Sequence, residues 1–468
     1  MMKSKALTSC WFGVYLLFTS TLLSAQTPVD FENSLSEYLE IQHEKMGFNG
    51  IVVVSTGEGI MVEKKVGLAS RELDVPVQSH SKFKIASMTK SFTALLVALA
   101  IQEGKLKMED ALFQYFPDLT QEKWKEITIK QLMSHTSGIP HWAGFDQYWT
   151  EKSFLPLSLE QILGEIFKME LLFQPGSQFS YSSPTYYLLA TILEKIYSES
   201  FDNLLKEKIL QKLNLNESGT CNGLSIIPDM ASGYHLVADD SVIVAPPRNM
   251  NTLKGAGNMY ASAQDITTWC RSFLSDDYWG QTILTQTFSP LTTFNSTEKE
   301  GALYGQGWYL TEEKNDIPTN YHISGGTYGF SSAASIYPTN KFSIVILSNM
   351  SFLPVDQLRR DIEKIVFGLP FKMPEKYEKS VALADEQLQK LAGNYLAENG
   401  MLLKVFTHQG NLYAKLGGHP PFALMAKNEL SFYSSKIDIL LMFQMNEAAK
   451  IKGLEAQGRG RVDYFEKQ

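Results

Sequence analysis

Apolar residues recur with two different periods along the chain, and this change of period predicts the order of its elements. The segment FNGIVVVSTGEGIMVEKKVG (48–67) is rich in β-branched residues and turns at residues 57–59, which predicts a β-hairpin. A second hairpin is predicted for SSAASIYPTNKFSIVILSN (331–349), with its turn at residues 338–340. Strands are therefore expected near the beginning and near the end of the larger part of the chain.

Helical patterns lie around and between these hairpins. Residues 30–45 and the segment PVDQLRRDIEKIVFG (354–368) carry apolar residues at helical spacing. Residues 106–230 are predicted to be mainly helical, with loops at 138–140 and 174–176. This order predicts an α+β fold, in which helices flank an antiparallel β-sheet whose first and last elements meet and a mostly helical insertion separates them.

The clearest single helix is predicted for SMTKSFTALLVALAIQEGK (87–105). Its apolar residues form one stripe, and Gly104 after them is typical of a helix end. Ser87 therefore lies at or near a helix N-terminus, with Lys90 one turn later.

The pattern changes again near residue 370. Residues 371–384 contain Pro and Lys without periodicity and are predicted to be a linker. Residues 385–468 form short apolar runs separated by Gly and Asn turns, which predicts a small all-β domain. The larger domain is accordingly assigned to residues 26–370.

Residues 1–25 have two lysines, no acidic residue, an apolar middle and a small residue, Ala25, at their end. This is the pattern of a secretory signal peptide cleaved before Gln26, and it predicts a periplasmic or extracellular protein. A membrane anchor is the alternative, but the apolar run at 10–23 is short and broken by Ser and Thr. No stable membrane span is expected.

Composition narrows the functional classes. With 44% hydrophobic and 20% charged residues, the 468-residue chain has the composition of a soluble globular protein. The net charge of −8 becomes −10 without Lys3 and Lys5, and no basic cluster indicates a nucleic-acid partner. The histidines are scattered without paired ligand spacing, so no metal is predicted. Cys221 and Cys270 could be two free thiols or one disulfide.

The spacing of Ser87 and Lys90 would allow the lysine to act on the serine hydroxyl. Residues three apart on a helix lie on one face, about 5–6 Å apart at Cβ. A serine hydroxyl needs a base to become nucleophilic, and a buried lysine with a lowered pKa can act as that base. The helix N-terminus also offers its N–H groups to an oxyanion. Alone, however, an S-x-x-K pattern is common, and the pair could be ordinary surface residues.

The surrounding residues make the pattern specific. FKIASMTK (83–90) resembles the nucleophile motif of the serine β-lactamase and penicillin-binding protein superfamily, and it is most similar to the class C β-lactamase, D,D-carboxypeptidase and esterase branch. Further segments resemble that branch in order and spacing: ITIKQLMSHTSGIP (127–140), FQPGSQFSYSSPTYYLLATILEKI (173–196), KGAGNMYASAQDITTW (254–269), YGQGW (304–308), SGGTYGF (324–330) and VILSN (345–349). The resemblance covers residues 30 to 367 and implies a serine β-lactamase-like fold that needs no metal or organic cofactor. Residues 385–468 resemble the small β-barrels often fused to such enzymes.

The second motif of this resemblance is Tyr181-Ser182-Ser183. It implies that Tyr181 moves protons between the serine and the leaving group. Ser183 stands where family members usually carry an Asn that contacts the substrate amide, so recognition of amides is expected to differ here. From the residues alone, Tyr181 could also be a packed aromatic at the start of a helix.

The third motif departs most from the family, which has Lys-Thr-Gly or His-Thr-Gly. Aligning the glycines gives Ile323-Ser324-Gly325, with His322 one residue early. The resemblance implies that Ser324 keeps the substrate-binding hydroxyl and that the N–H of Gly326 joins that of Ser87 as an oxyanion donor. Because strand side chains alternate, either Ile323 faces the site or a bulge turns His322 towards it.

The resemblance implies a secreted serine hydrolase that works through an acyl-enzyme on Ser87, with Lys90 and Tyr181 moving the proton. Ser183 and Ile323 favour an esterase or peptidase-like activity over a β-lactamase or D,D-carboxypeptidase, which remains the alternative. A small-molecule or peptide-like acyl substrate is the expected partner. A non-catalytic penicillin-binding sensor or binder is the alternative of another class. His135 in SHTSGIP is expected to be structural.

Overall fold

The computed structural model describes residues 28–468 except 146, 149–150, 239–240, 293–302, 352, 375–379, 398–400, 418–420, 435–438 and 459–460. The signal segment predicted for residues 1–25 lies outside the described residues, and the linker predicted for 371–384 is described only in part, so the domain boundaries remain predictions. No helix of the described residues is both long enough and apolar enough to cross a bilayer.

The chain alternates between helices and strands in its larger part and ends in strands. The α-helices are α1 (Pro28–Met46), α2 (Thr89–Gln102), α3 (Glu122–Lys125), α4 (Ile129–Met133), α5 (Leu159–Lys168), α6 (Ser183–Tyr197), α7 (Phe201–Leu205), α8 (Ala263–Arg271), α9 (Gly280–Phe288), α10 (Val355–Val366) and α11 (Asp385–Leu391). The strands of the larger part are β1 (Gly50–Thr56), β2 (Ile60–Val66), β3 (Leu68–Ser70), β4 (Val75–Pro76), β5 (Lys82–Lys84), β6 (Gly219–Thr220), β7 (Tyr234–Ala238), β8 (Ser241–Val244), β9 (Met259–Ser262), β10 (Leu303–Tyr304), β11 (Tyr309–Thr311), β12 (Asn320–Thr327), β13 (Phe330–Tyr337) and β14 (Phe342–Ser348). The C-terminal strands are β15 (Gly393–Ala397), β16 (Leu402–His408), β17 (Asn411–Leu416), β18 (Phe422–Ala426), β19 (Ser431–Ser434), β20 (Ile439–Met445), β21 (Ile451–Gly458) and β22 (Arg461–Lys467).

A seven-stranded antiparallel sheet lies at the centre, in the order β10-β11-β12-β13-β14-β1-β2. Both predicted hairpins are present in it, as β1–β2 and β13–β14. Strand β1 pairs with β14 over its whole length, from Gly50 opposite Ser348 to Thr56 opposite Phe342. The first and last elements therefore meet, which confirms the predicted α+β fold.

Both faces of this sheet are covered, because side chains alternate along each strand. Ile51 and Val53 enter the core shared with α2, α6 and α8, while Val52 and Val54 enter a second core shared with α1 and α10. Strand β1 consequently has a continuous apolar run rather than alternating polar and apolar residues.

The region between the hairpins is less helical than predicted. Helices α3, α4 and α7 have only four or five residues each, and the described residues between 134 and 158 form loops and 3-10 turns. Local hydrogen bonds compete with helix formation here, as when Ser134 Oγ lies 2.8 Å from Thr136 Oγ1. Gly138 adopts a φ of +81°, which also ends helical structure.

The C-terminal strands form a closed antiparallel barrel in sequence order, in which β22 pairs with β15. Its interior is a separate apolar core that includes Tyr395, Phe432 and Leu454. This confirms the predicted small β-barrel. Cys221 and Cys270, for which the sequence left two possibilities, are both buried free thiols in this structure.

The second core should contribute strongly to stability. Ile346 on β14 is fully buried (0% exposed), so Ile346→Ala is expected to lower the free energy of unfolding by about 2–5 kcal/mol, through lost burial and a cavity. Denaturant unfolding followed by tryptophan fluorescence measures this, because none of the seven tryptophans lies in residues 385–468. The matched control Ile60→Ala, 46% exposed on β2, should change it by at most about 0.5 kcal/mol. Equal losses in both variants would contradict this account of the core.

Candidate active site

Ser87 lies on a tight turn at the head of a buried helix. Strand β5 leads into a 3-10 turn at Ala86–Met88, and α2 begins at Thr89. Ala86 has a φ of +46°, in the left-handed region that an alanine rarely adopts. Such strain persists where the surrounding structure enforces it, and it is concentrated at functional sites. The partly exposed Ser87 is therefore held in a specific orientation.

Lys90 is completely buried (0% exposed) beneath Ser87. Its Nζ lies 3.2 Å from Ser87 Oγ, 3.1 Å from Ser183 Oγ and 2.7 Å from the carbonyl oxygen of Ala256. Burial disfavours the charged ammonium and lowers the pKa of Lys90 well below its ordinary value. A neutral amine at this position can accept the proton of Ser87.

Tyr181 lies on the other side of the amine. The Nζ of Lys90 is 4.9 Å from the centroid of the Tyr181 ring and 5.7 Å from that of Tyr186. Tyr181 is half-buried, whereas Tyr186 is buried and donates a hydrogen bond to the carbonyl of Met133. The two aromatic rings and the amine thus form one wall of the site, in which Tyr181 is the accessible phenol.

Two histidines hold the turn that carries Tyr181. The Nδ1 of His135 accepts a hydrogen bond from the Ser182 N–H (3.2 Å), and the Nδ1 of His141 accepts one from the Ser183 N–H (3.1 Å). These donors lie at the start of α6, where backbone N–H groups lack partners within the helix. Both rings accept, so both must be neutral at these nitrogens.

The environment keeps the two histidines neutral. Burial, followed by the positive charge of Lys90, lowers the pKa of His141 to about 3 and that of His135 well below its ordinary value. Each histidine would gain a proton only in acid, at a pH below its lowered pKa. The neutral imidazoles therefore hold the turn through the Ser182 and Ser183 N–H groups, and burial lowers the pKa of the neighbouring Lys90 as well.

Strand β12 passes directly beside Ser87. A Cβ added to Gly325 would lie 2.3 Å from the carbonyl oxygen of Ile85 and 2.8 Å from the backbone nitrogen of Ser87. Ile323, on the same face of the strand, packs into the core that contains α2. This close approach explains why the chain has glycine at position 325.

The side chains of His322 and Ser324 lie on the opposite face of β12. His322 Nε2 is 3.0 Å from Thr311 Oγ1, and Ser324 Oγ donates to Asp356 Oδ2 on α10 at 3.1 Å. Strands β12 and β13 pair in regular register through this region, so alternation places Ile323 rather than His322 at the first position of the third motif. The structure thus brings Ser87, Lys90, Tyr181, Ser183 and Gly325 together and directs His322 and Ser324 towards α10.

Three residues of the site were not singled out by the sequence. The carbonyl oxygen of Ala256, in the KGAGN segment, accepts a hydrogen bond from Lys90. His141 directly follows the SHTSGIP segment. For these two residues, their position in or next to a family-like motif was the sequence feature that could have identified them. Arg248, which is buried and donates to Thr327 Oγ1 at 3.4 Å near the end of β12, lies in a loop where no sequence pattern marks it.

Comparison with known proteins gives a consistent assignment. The family model described as Beta-lactamase matches residues 36–366. A penicillin-binding protein of Bacillus subtilis (strain 168) is 27% identical over 436 residues, which cover 89% of this chain and 94% of that protein.

Solved structures share the fold at low sequence identity. An octameric penicillin-binding protein homologue from Pyrococcus abyssi superposes with a TM-score of 0.65 at 20% identity, over 93% of this chain and 99% of that one. EstCE1, described as a hydrolase with promiscuous acyltransferase activity, gives a TM-score of 0.63 at 19% identity, over 73% of this chain and 99% of that one. The similarity to the Pyrococcus abyssi protein extends over nearly the whole chain.

Two glycines with different surroundings allow a direct test of the position of β12. Gly325→Ala is expected to slow the reaction of Ser87 with a fluorophosphonate by about 10²-fold, because the new methyl group must displace the Ser87 backbone. Gly59→Ala, in the turn between β1 and β2, is the matched control: no described atom lies within 4 Å of its added Cβ, and it belongs to no part of the site, so its rate should stay within about threefold of the wild type. Mass spectrometry of the adduct over time measures both rates. Wild-type reactivity in Gly325→Ala would disprove the close packing of β12 against Ser87.

Proposed function

Because the chain belongs to the beta-lactamase family and is a serine hydrolase of that family, we propose that it hydrolyses ester or amide substrates through an acyl-enzyme on Ser87. The observation that supports this most is the position of Lys90, which is fully buried with its Nζ 3.2 Å from Ser87 Oγ. A nucleophile, a desolvated base and a nearby phenol form the arrangement that activated-serine catalysis requires.

The proposed reaction has two halves. As Ser87 Oγ attacks the substrate carbonyl carbon, Lys90 takes the hydroxyl proton, and the N–H groups of Ser87 and Gly326 stabilise the oxyanion. Tyr181 and Lys90 return that proton to the leaving group when its bond to the carbonyl carbon breaks. A water molecule then attacks the carbonyl carbon of the acyl-enzyme and gives one proton to Lys90. Lys90 returns that proton to Ser87 Oγ as the bond to the acyl group breaks and the acid product forms.

Two positions favour esters or other amides over β-lactams. Ile323 occupies the first position of the third motif, so this position supplies no positive charge for a substrate carboxylate. Ser183 donates or accepts through one hydroxyl, which lies 3.1 Å from Lys90 Nζ, instead of presenting an amide side chain. Hydrolysis of β-lactams or of D,D-peptides is the second candidate, and it is supported by the similarity to a penicillin-binding protein.

Substrate turnover distinguishes these candidates. We expect p-nitrophenyl butyrate to be hydrolysed with a kcat/KM at least about 10²-fold higher than that for nitrocefin, because the ester needs no carboxylate anchor. Ser87→Ala should lower ester hydrolysis by at least about 10³-fold. Efficient nitrocefin turnover would favour the β-lactamase alternative. A penicillin adduct on Ser87 that persists without turnover of either substrate would instead favour a sensor.

The pH dependence should report the base. Since burial lowers the pKa of Lys90, kcat/KM is expected to rise with pH as Lys90 loses its proton, and to level off well below the ordinary lysine pKa of 10.5. In Lys90→Arg the side chain keeps its positive charge but the guanidinium does not lose its proton. This variant should therefore lower kcat/KM by about 10²–10⁴-fold and abolish the rise of kcat/KM with pH. His141, with a pKa of about 3, does not titrate in that range. If kcat/KM of Lys90→Arg still rose with pH as in the wild type, Lys90 would be excluded as the base.

A further inference from the structure

A second group of cations lies beside the active site, at the end of β12. We call it the cationic corner and define it by Lys84, Arg248, Thr327, Tyr328 and Phe330. Thr327 is two residues beyond Gly325 on the same strand and pairs with Phe330 across the hairpin. The corner therefore begins roughly 7 Å along the strand from the glycine that touches Ser87.

Arg248 is held in this corner by contacts with Thr327, Tyr148 and Tyr328. Its guanidinium donates to Thr327 Oγ1 at 3.4 Å and also to the hydroxyl of Tyr148. Its Cζ lies 5.5 Å from the centroid of the Tyr328 ring and 5.2 Å from that of Tyr148. Only 6% of Arg248 is exposed, so a guanidinium is held in a defined plane with little surrounding water. Such a group binds an oxyanion more strongly than a flexible surface arginine does.

Lys84 brings a second positive charge to the same place. It precedes Ser87 by three residues, is half-buried, and holds its Nζ 5.6 Å from the centroid of the Phe330 ring. Burial lowers the pKa of Lys84, and the charge of Arg248 lowers it further. Phe330 pairs with Thr327, the residue that Arg248 contacts, so the two cations lie at the same end of β12, where both would stabilise an anion.

The corner is electrostatically connected to the catalytic residues. The charge of Arg248 contributes to the lowered pKa of His141, whose Nδ1 accepts from the Ser183 N–H. Arg248 donates to the hydroxyl of Tyr148, whose ring stacks on Trp142, the residue after His141, with centroids 4.8 Å apart. It also donates to Thr327, on the strand that contains Gly325. A ligand bound to Ser87 can extend into this corner.

We propose that Arg248 and Lys84 bind a carboxylate at the far end of the substrate's acyl chain. This inference rests on the proposed function of Ser87. Tyr181 and Lys90 protonate the leaving group, so the leaving group must depart beside them. The acyl chain then runs along β12 past Gly326 towards Thr327. A planar carboxylate matches the fork of a guanidinium, and a chain of about four methylene groups spans the distance estimated above.

A pair of esters tests this directly. Mono-p-nitrophenyl adipate has a carboxylate at the end of its acyl chain, and p-nitrophenyl adipamate has a neutral carboxamide in the same place. The adipate chain is long enough to limit attack by its own carboxylate on the ester. We expect the wild type to prefer the adipate by about tenfold or more in kcat/KM, and this preference to weaken at high salt.

Variants assign the preference to residues. The ratio of the two kcat/KM values, each measured on the same variant, should fall to about one in Arg248→Met and by about threefold in Lys84→Met, while Arg248→Lys keeps part of it. Arg271→Met is the matched control, because the Arg271 side chain donates to the carbonyl of Gly57, remote from the site; both its rates should equal those of the wild type. A wild-type ratio in both Arg248→Met and Lys84→Met would overturn the proposal.

Two further measurements separate this inference from the proposed function. The ester 3-carboxy-4-nitrophenyl butyrate carries its carboxylate on the leaving group instead. If Arg248→Met lowers kcat/KM for this ester but not for the adipate, the assignment of the carboxylate site to the acyl chain is wrong. If no ester is hydrolysed, the proposed function fails, and binding of monomethyl adipate to Ser87→Ala then decides the remaining question by NMR titration. Loss of that binding in Ser87→Ala/Arg248→Met supports the cationic corner, and equal binding in both proteins refutes it.

Discussion

The site depends on the removal of one amine from water. Lys90 is fully buried, and the Ser87 hydroxyl, the Ser183 hydroxyl and the Ala256 carbonyl surround its Nζ. These partners come from three separate segments: the turn before α2, the start of α6 and the loop before β9. The same packing that joins the segments disfavours the ammonium form of Lys90, so the lowered pKa of this amine is a consequence of how the domain folds.

The central sheet supplies the rigid frame for that packing. Its two faces are covered by different helices, and alternation along β12 divides neighbouring side chains between two environments. Ile323 and Gly325 lie on the face of β12 that is turned towards Ser87 and α2, whereas Ser324 contacts Asp356 on α10. A shift by one residue would exchange these environments, so the regular β12–β13 register decides which chemistry reaches the substrate.

Positive charge is distributed in an unusual way around this frame. An apolar residue stands at the first position of the third motif, and the buried guanidinium of Arg248 lies beyond the glycines at the other end of the strand. Meanwhile, His135 and His141 accept hydrogen bonds from consecutive N–H groups at the start of α6. The Arg248 guanidinium thus donates hydrogen bonds, whereas the two neutral histidines accept them.

The sequence by itself determined the α+β order of elements, the hairpins, the all-β character of the C-terminal part and the close spacing of Ser87 and Lys90, because these follow from local periodicity and from residues one turn apart. That the C-terminal strands form a barrel was implied by the family resemblance alone. It overestimated helix between residues 106 and 230, where local side-chain hydrogen bonds and glycine compete with helix formation. Only the tertiary structure decided that Ile323 rather than His322 lies on the Ser87 side of β12, that Ala256 accepts a hydrogen bond from Lys90, and that Arg248 contacts Thr327. These facts depend on strand register and on contacts between residues far apart in the chain, which no local pattern encodes.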